Sequence, residues 1–173
     1  MRRSLLAVAA SAALVAALAP PAVAVDTITT FTLAGGALSI TAPANANLGS
    51  AGTGAANVSG QLGSVTVTDA RGALVAAWTA SVISTSFTTG GGGAAETIAA
   101  SDVSYAPGLA TSTTGLGVFT PGLGGTLGVS RTAYSLAAGT GNNSATWNPT
   151  ITVSLPAAAV AGTYTGTITH SVA

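Results

Sequence analysis

From Gly162 to Ala173 the chain alternates without a break. Tyr164, Gly166, Ile168, His170 and Val172 fall on one side, and Thr163, Thr165, Thr167, Thr169 and Ser171 on the other. Period two is the mark of a β-strand with one buried and one wet face. A stable helix is excluded here, because β-branched Thr and Gly dominate the run. A strand needs partners, so this stretch demands a sheet built earlier in the chain.

The spacing predicts those partners. Thr27–Leu33 and Ala37–Thr41 read as two strands joined by a tight turn at Gly35-Gly36, with Leu38 and Ile40 facing inward. Ala42–Gly60 reads as a long loop with room for a short edge strand. Gly63–Asp69 is a strand with Val65 and Val67 inward, Ala70-Arg71-Gly72 a turn, and Leu74–Thr85 a central strand apolar on both faces. Gly90–Gly93 marks a loop. A short strand is expected within Glu96–Tyr105, loop over most of Pro107–Leu127, and a strand over Gly128–Ala137. Gly139–Ser144 reads as a turn, Trp147–Leu155 as a strand with Ile151, Val153 and Leu155 inward, and Pro156–Gly162 as a connector. About eight short strands with no helix among them read as an all-β, antiparallel β-sandwich of immunoglobulin-like type, with a closed barrel as the rival.

Met1–Ala24 has the layout of an export signal. Arg2 and Arg3 give a positive start, Leu5–Leu18 an apolar core, Pro20-Pro21 a break, and Ala22-Val23-Ala24 a small-x-small cleavage site. The apolar core is shorter than the roughly 20 residues of a spanning helix. Cleavage after Ala24 is expected, leaving 25–173 as a single domain, secreted or wall-associated, with no transmembrane anchor.

The processed chain keeps Arg71 and Arg131 against Asp26, Asp69, Glu96 and Asp102, and has no lysine. Nucleic-acid binding needs a basic patch that releases counterions, and none exists. So little charge leaves a surface of Thr, Ser, Asn, Gly and Ala, with little repulsion between copies. Cysteine is absent, so the fold rests on its core alone.

Leu62–Val82 runs L-G-S-V-T-V-T-D-A-R-G-A-L-V-A-A-W-T-A-S-V, a strand, an Asp-x-Arg turn and a strand centred on Trp78. Pro156–Thr169 ends in G-T-Y-T-G-T-I-T. Together they resemble the W-x-L domain family of bacterial surface proteins. The resemblance implies a non-enzymatic module attached non-covalently to the cell wall through peptidoglycan. The chain departs from that pattern at Ala80, where the motif names Leu, and at His170, where a second Trp is expected.

Six residues are singled out as ligand contacts or motif positions. Trp78, among Ala76, Ala80 and Val82, reads as a core residue bridging two sheets, although an aromatic face also stacks on sugars. Trp147, beside Asn148-Pro149 at a strand entrance, is expected to be partly exposed and is the better candidate for ligand contact. Asp69 and Arg71 flank a turn and read as an Asx-type turn with an ion pair. Tyr164 reads as a corner or core tyrosine.

His170 is the only histidine, without the companions a metal site or a catalytic triad needs, and reads as packed and hydrogen-bonded. No phosphate loop exists without Lys, and no cofactor or enzymatic activity is expected. The leading expectation is a secreted, wall-binding surface module, with other surface proteins or a second copy as further partners. The alternative is a pilin-like or coat-like subunit of an extracellular polymer, assembling through sheet edges.

Overall fold

The computed structural model describes residues 23–173. The expected export signal lies almost wholly outside them; Val23 and Ala24 are exposed and carry no regular structure. The described residues form twelve strands and two single turns of 3₁₀-helix, Ala94–Glu96 and Ala100–Asp102. In chain order the strands are β1 Leu38–Thr41, β2 Asn57–Gln61, β3 Val65–Asp69, β4 Ala76–Ser84, β5 Phe87–Thr88 and β6 Thr97–Ile98. There follow β7 Val103–Ala106, β8 Ala110–Pro121, β9 Gly125–Thr126, β10 Arg131–Trp147, β11 Thr150–Ser154 and β12 Ile168–Val172. All pair antiparallel.

A six-stranded sheet runs β1-β3-β10-β4-β12, with β8 also on β10. A four-stranded sheet runs β2-β11-β7-β9, and β5-β6 form a ribbon. Valines and aromatics on alternate positions supply one continuous core: Val65, Val67, Trp78, Val82 and Trp147 from the larger sheet meet Val103, Tyr105, Ile151 and Val153 from the smaller. The larger sheet curls, so that its outer strands β1 and β12 come close without pairing.

β10 is the spine, 17 residues long. It pairs with β4 through Arg131–Gly139, with β3 through Asn143–Trp147, and with β8 along most of its length. Its register against β8 slips between Ala137 and Thr140 and again before Ser144. Ala138 (φ 51°) and Gly141 (φ 71°) are left-handed within these slips, opposite Gly115 (φ 83°) and Gly117 (φ 140°) of β8. These are β-bulges, in which glycine admits the backbone that a regular ladder forbids.

Several expectations are corrected. Gly139–Ser144 is not a turn but the bulged middle of β10, and Pro107–Leu127 is mostly strand, its last residue wholly buried. Trp147 ends β10 instead of opening β11. β4 is covered on one face only, for Ala76, Trp78, Ala80, Val82 and Ser84 are buried while Ala77, Thr79 and Ile83 are exposed. Thr27–Leu33 is not a strand. The turn that would fold it onto β1 does not form: the Gly36 N–H donates to the Ala70 carbonyl at 2.7 Å and the Ala70 N–H to the Ala37 carbonyl at 2.9 Å. Gly36 thus prolongs the β1–β3 ladder, and neither glycine takes the positive φ of a hairpin turn.

The terminal alternation holds in burial, but the strand is shorter than expected: only Ile168–Val172 forms it, and ahead of it Thr165 makes an isolated bridge to Thr88. Tyr164, Gly166, Ile168, His170 and Val172 are half-buried, and each Thr or Ser between them is exposed. β12 pairs with β4 without a register slip, and the strand thus prefigured is the sheet's last.

Candidate functional site

The singled-out residues gather into two buried clusters, each hung on a tryptophan. In the first, the Trp78 Nε1–H donates to Asn143 Oδ1 at 2.8 Å, and Asn143 Nδ2 donates to Asp69 Oδ2 at 3.4 Å. Asp69 is 1% exposed. Arg71 forks onto it, with Nε to Oδ1 and Nη2 to Oδ2 each at 2.9 Å. The Arg71 backbone N–H also donates to Oδ1 at 3.1 Å, closing an Asx-turn, and Nη2 reaches the Ala77 carbonyl at 2.9 Å. The Arg71 hydrogen bond, above all, holds the Asp69 carboxyl below its ordinary range. Burying this carboxylate is tolerable because a planar, bidentate cation and an amide satisfy it.

In the second cluster, Trp147 lies fully buried with Tyr134 stacked on it, ring centroids 4.9 Å apart. The expected partial exposure of Trp147 is therefore wrong. Its indole N–H donates to Tyr105 Oη at 2.8 Å, and Tyr105 Oη lies 3.1 Å from His170 Nε2. The phenol oxygen accepts from the indole and shares a hydrogen bond with Nε2 whose direction follows the His170 tautomer. His170 Nδ1 is buried without a partner. Burial pushes the Tyr105 phenol up to about 12 and the His170 imidazole down to about 4. His170 is neutral at pH 7, and the cluster carries no charge.

Tyr164 stands apart from both clusters. Its hydroxyl reaches the Val160 carbonyl at 2.9 Å and the Ala95 carbonyl at 3.2 Å, the backbone anchoring of a corner tyrosine. No family model, no curated protein and no solved structure matches this chain. Function must therefore be argued from the arrangement itself.

The Arg71 guanidinium is exposed but occupied by its two partners, and His170 is half-buried with its Nδ1 shielded. Among the described residues no group of three His, Cys, Asp or Glu side chains gathers to hold a metal, and no helix is long and apolar enough to cross a membrane. A cleft of about 320 Å³ opens beside β12, lined by Pro43, Leu48, Leu62, Phe87, Ile168 and His170 among others. The outward side of β12 and the chain leading to it carries an unbroken row of exposed hydroxyls, Thr163, Thr165, Thr167, Thr169 and Ser171. Thr79 and Ser81 of β4 lie beside its far end.

Tyr105, Tyr134 and Asn143 were not singled out from the sequence. Val103-Ser104-Tyr105 has the alternation of a buried strand, which is the signal that finds Tyr105. Tyr134 follows buried Ala133 across a register slip, which breaks the period. Asn143 sits in a Gly- and Asn-rich run that carries only turn signals.

Proposed function

We propose that this chain is an exported, non-catalytic cell-surface protein. It would be a W-x-L-like module of immunoglobulin-like β-sandwich type, held non-covalently to the cell wall through peptidoglycan. The observation that carries the reading is the hydroxyl row Thr163–Ser171. Alternate residues of a strand repeat every ~7 Å, so Thr169 and Ser171 of β12 offer hydrogen bonds at that step, and the exposed hydroxyls of Thr163, Thr165 and Thr167 continue the row ahead of the strand, towards the hydroxyl and amide groups of a neutral wall polysaccharide. Support also comes from the clusters: Trp78, Trp147, Asp69, Tyr164 and His170 are all engaged in internal hydrogen bonds. Under this reading the motif residues build the scaffold, and the outward face makes the contact. The sandwich type is supported by a core enclosed between two sheets, while the curl of the larger sheet favours a barrel.

Purified peptidoglycan is expected to retain the processed protein over a mock matrix. Replacing Thr165 and Thr167 by Lys should abolish retention without lowering the melting temperature. Equal retention on both matrices would end the wall reading.

A second reading, a subunit of an extracellular polymer, is favoured by the open edges of the larger sheet. β12 has a partner on one side only, and its exposed face carries no charge.

A further inference from the structure

We infer that residues 25–33 of one copy add as a strand to the open edge of β12 in a second copy, linking chains head to tail. The inference rests on the polymer reading and names the segment and the edge that perform it.

The donor is unusual for a stretch without partners. Thr27–Leu33 reads T-I-T-T-F-T-L, all residues that favour strands, with no glycine, proline or charge. Yet it forms no strand, and Ile28, Phe31 and Leu33 are 92%, 92% and 89% exposed. Phe31 and Leu33 are two apart, so in an extended strand they share a face. No tight turn forms at Gly35-Gly36, because Gly36 is bonded to Ala70 just past β3 and neither glycine has a positive φ.

The acceptor edge has the complementary features. Thr79 and Ala173 exchange both backbone hydrogen bonds, at 2.8 and 3.1 Å. Counting back through the unbroken register, the N–H and C=O groups of Ile168, His170 and Val172 therefore point away from β4. No strand is hydrogen-bonded on that side, and β1 approaches it without pairing. The devices that blunt sheet edges are missing from β12: it has no lysine, no proline and no bulge. β8, also an outer strand, is broken by its left-handed glycines.

The cleft opens beside this edge, with Pro43, Leu48, Leu62, Phe87 and Ile168 on its walls. It is an apolar seat for alternate side chains of an added strand, as strand-addition complexes use. Seven residues extend ~23 Å, enough to cover β12. Little charge opposes the pairing: Thr27–Leu33 has none, Asp26 lies at the far end of the donor, and His170, with its imidazole pushed down to about 4, is neutral.

The test uses the processed full-length chain, followed by light scattering and sedimentation over rising concentration. Concentration-dependent chains are expected. The double substitution Phe31→Asp, Leu33→Asp should weaken association about a hundredfold or more and leave the melting temperature unchanged. A synthetic peptide of residues 25–33 should bind this variant and cap the wild-type chains. A wild type that stays monomeric throughout would overturn both the polymer reading and this inference. Undiminished association of the double variant would overturn strand donation alone. Since the chain has no cysteine, the paired substitution Phe31→Cys, Ile168→Cys reports the geometry directly: cross-links between chains are expected, and cross-links only within one chain would refute donation to a second copy.

Discussion

The two tryptophan clusters solve one problem in opposite ways. Each must satisfy an indole N–H inside an apolar core. Around Trp78 the relay passes through an amide to a carboxylate and ends on the half-exposed Arg71. Its charge is compensated where water can still reach the cation. Around Trp147 the relay passes through a phenol to an imidazole and stays neutral throughout. It cannot ionise without desolvation cost, and it leaves His170 Nδ1 unpaired. One cluster is thus electrostatically finished, and the other is held together only while His170 remains unprotonated.

The sharpest way to separate them is deletion of each indole. Trp147→Ala removes a fully buried ring, its stack on Tyr134 and the partner of Tyr105, and should cost about 5 kcal/mol. Trp78→Ala, whose ring meets Phe119 only at 6.3 Å and a tilt, should cost nearer 3 kcal/mol. Chemical denaturation checks both, and equal losses would erase the distinction.

Acid should discriminate next. The His170 pKa is lowered on folding, so the unfolded chain takes up its proton first as pH falls. Stability is then full above about 6.5 and drains away as pH drops towards 4, by up to ~3 kcal/mol. His170→Gln, which can still hydrogen-bond Tyr105 but cannot titrate, should flatten that slope. A wild-type curve level between pH 6.5 and 4 would show that the imidazole is not held neutral. The Asp69 cluster should yield only below about pH 4, since its carboxyl is also lowered on folding.

Smaller effects test the charged cluster alone. Asp69→Asn leaves Arg71 without its counter-ion and should cost ~2 kcal/mol. Arg71→Lys loses the planar fork but keeps the charge, and should cost under about 1 kcal/mol. If the lysine variant proves the worse of the two, the fork outweighs the carboxylate.

Much of this was legible in the sequence, for physical reasons that differ by region. Val65, Val67, Ile151, Val153 and the terminal Thr row obey period two, and the structure keeps them as read. The Asp69–Arg71 turn was legible because its chemistry is local, two residues apart. Gly115, Gly117, Gly139 and Gly141 misled, because glycine marks turns and bulges alike and only long-range pairing tells them apart. Trp147 misled because Asn148-Pro149 looks like an entrance, whereas burial is decided by Tyr105 and Tyr134, whose approach no local pattern encodes. Thr27–Leu33 misled in the other direction: its residues favour a strand, but propensity without a partner makes none.

The long β10 strand has a consequence for how the polypeptide matures. Two of its three ladder partners lie far upstream, Asn143 against Asp69 and Arg131 against Val82. Until this stretch leaves the ribosome, β3 and β4 have no template between them, and the interior cannot close. Topology of this kind delays compaction. A nascent chain built this way stays extended for most of its synthesis.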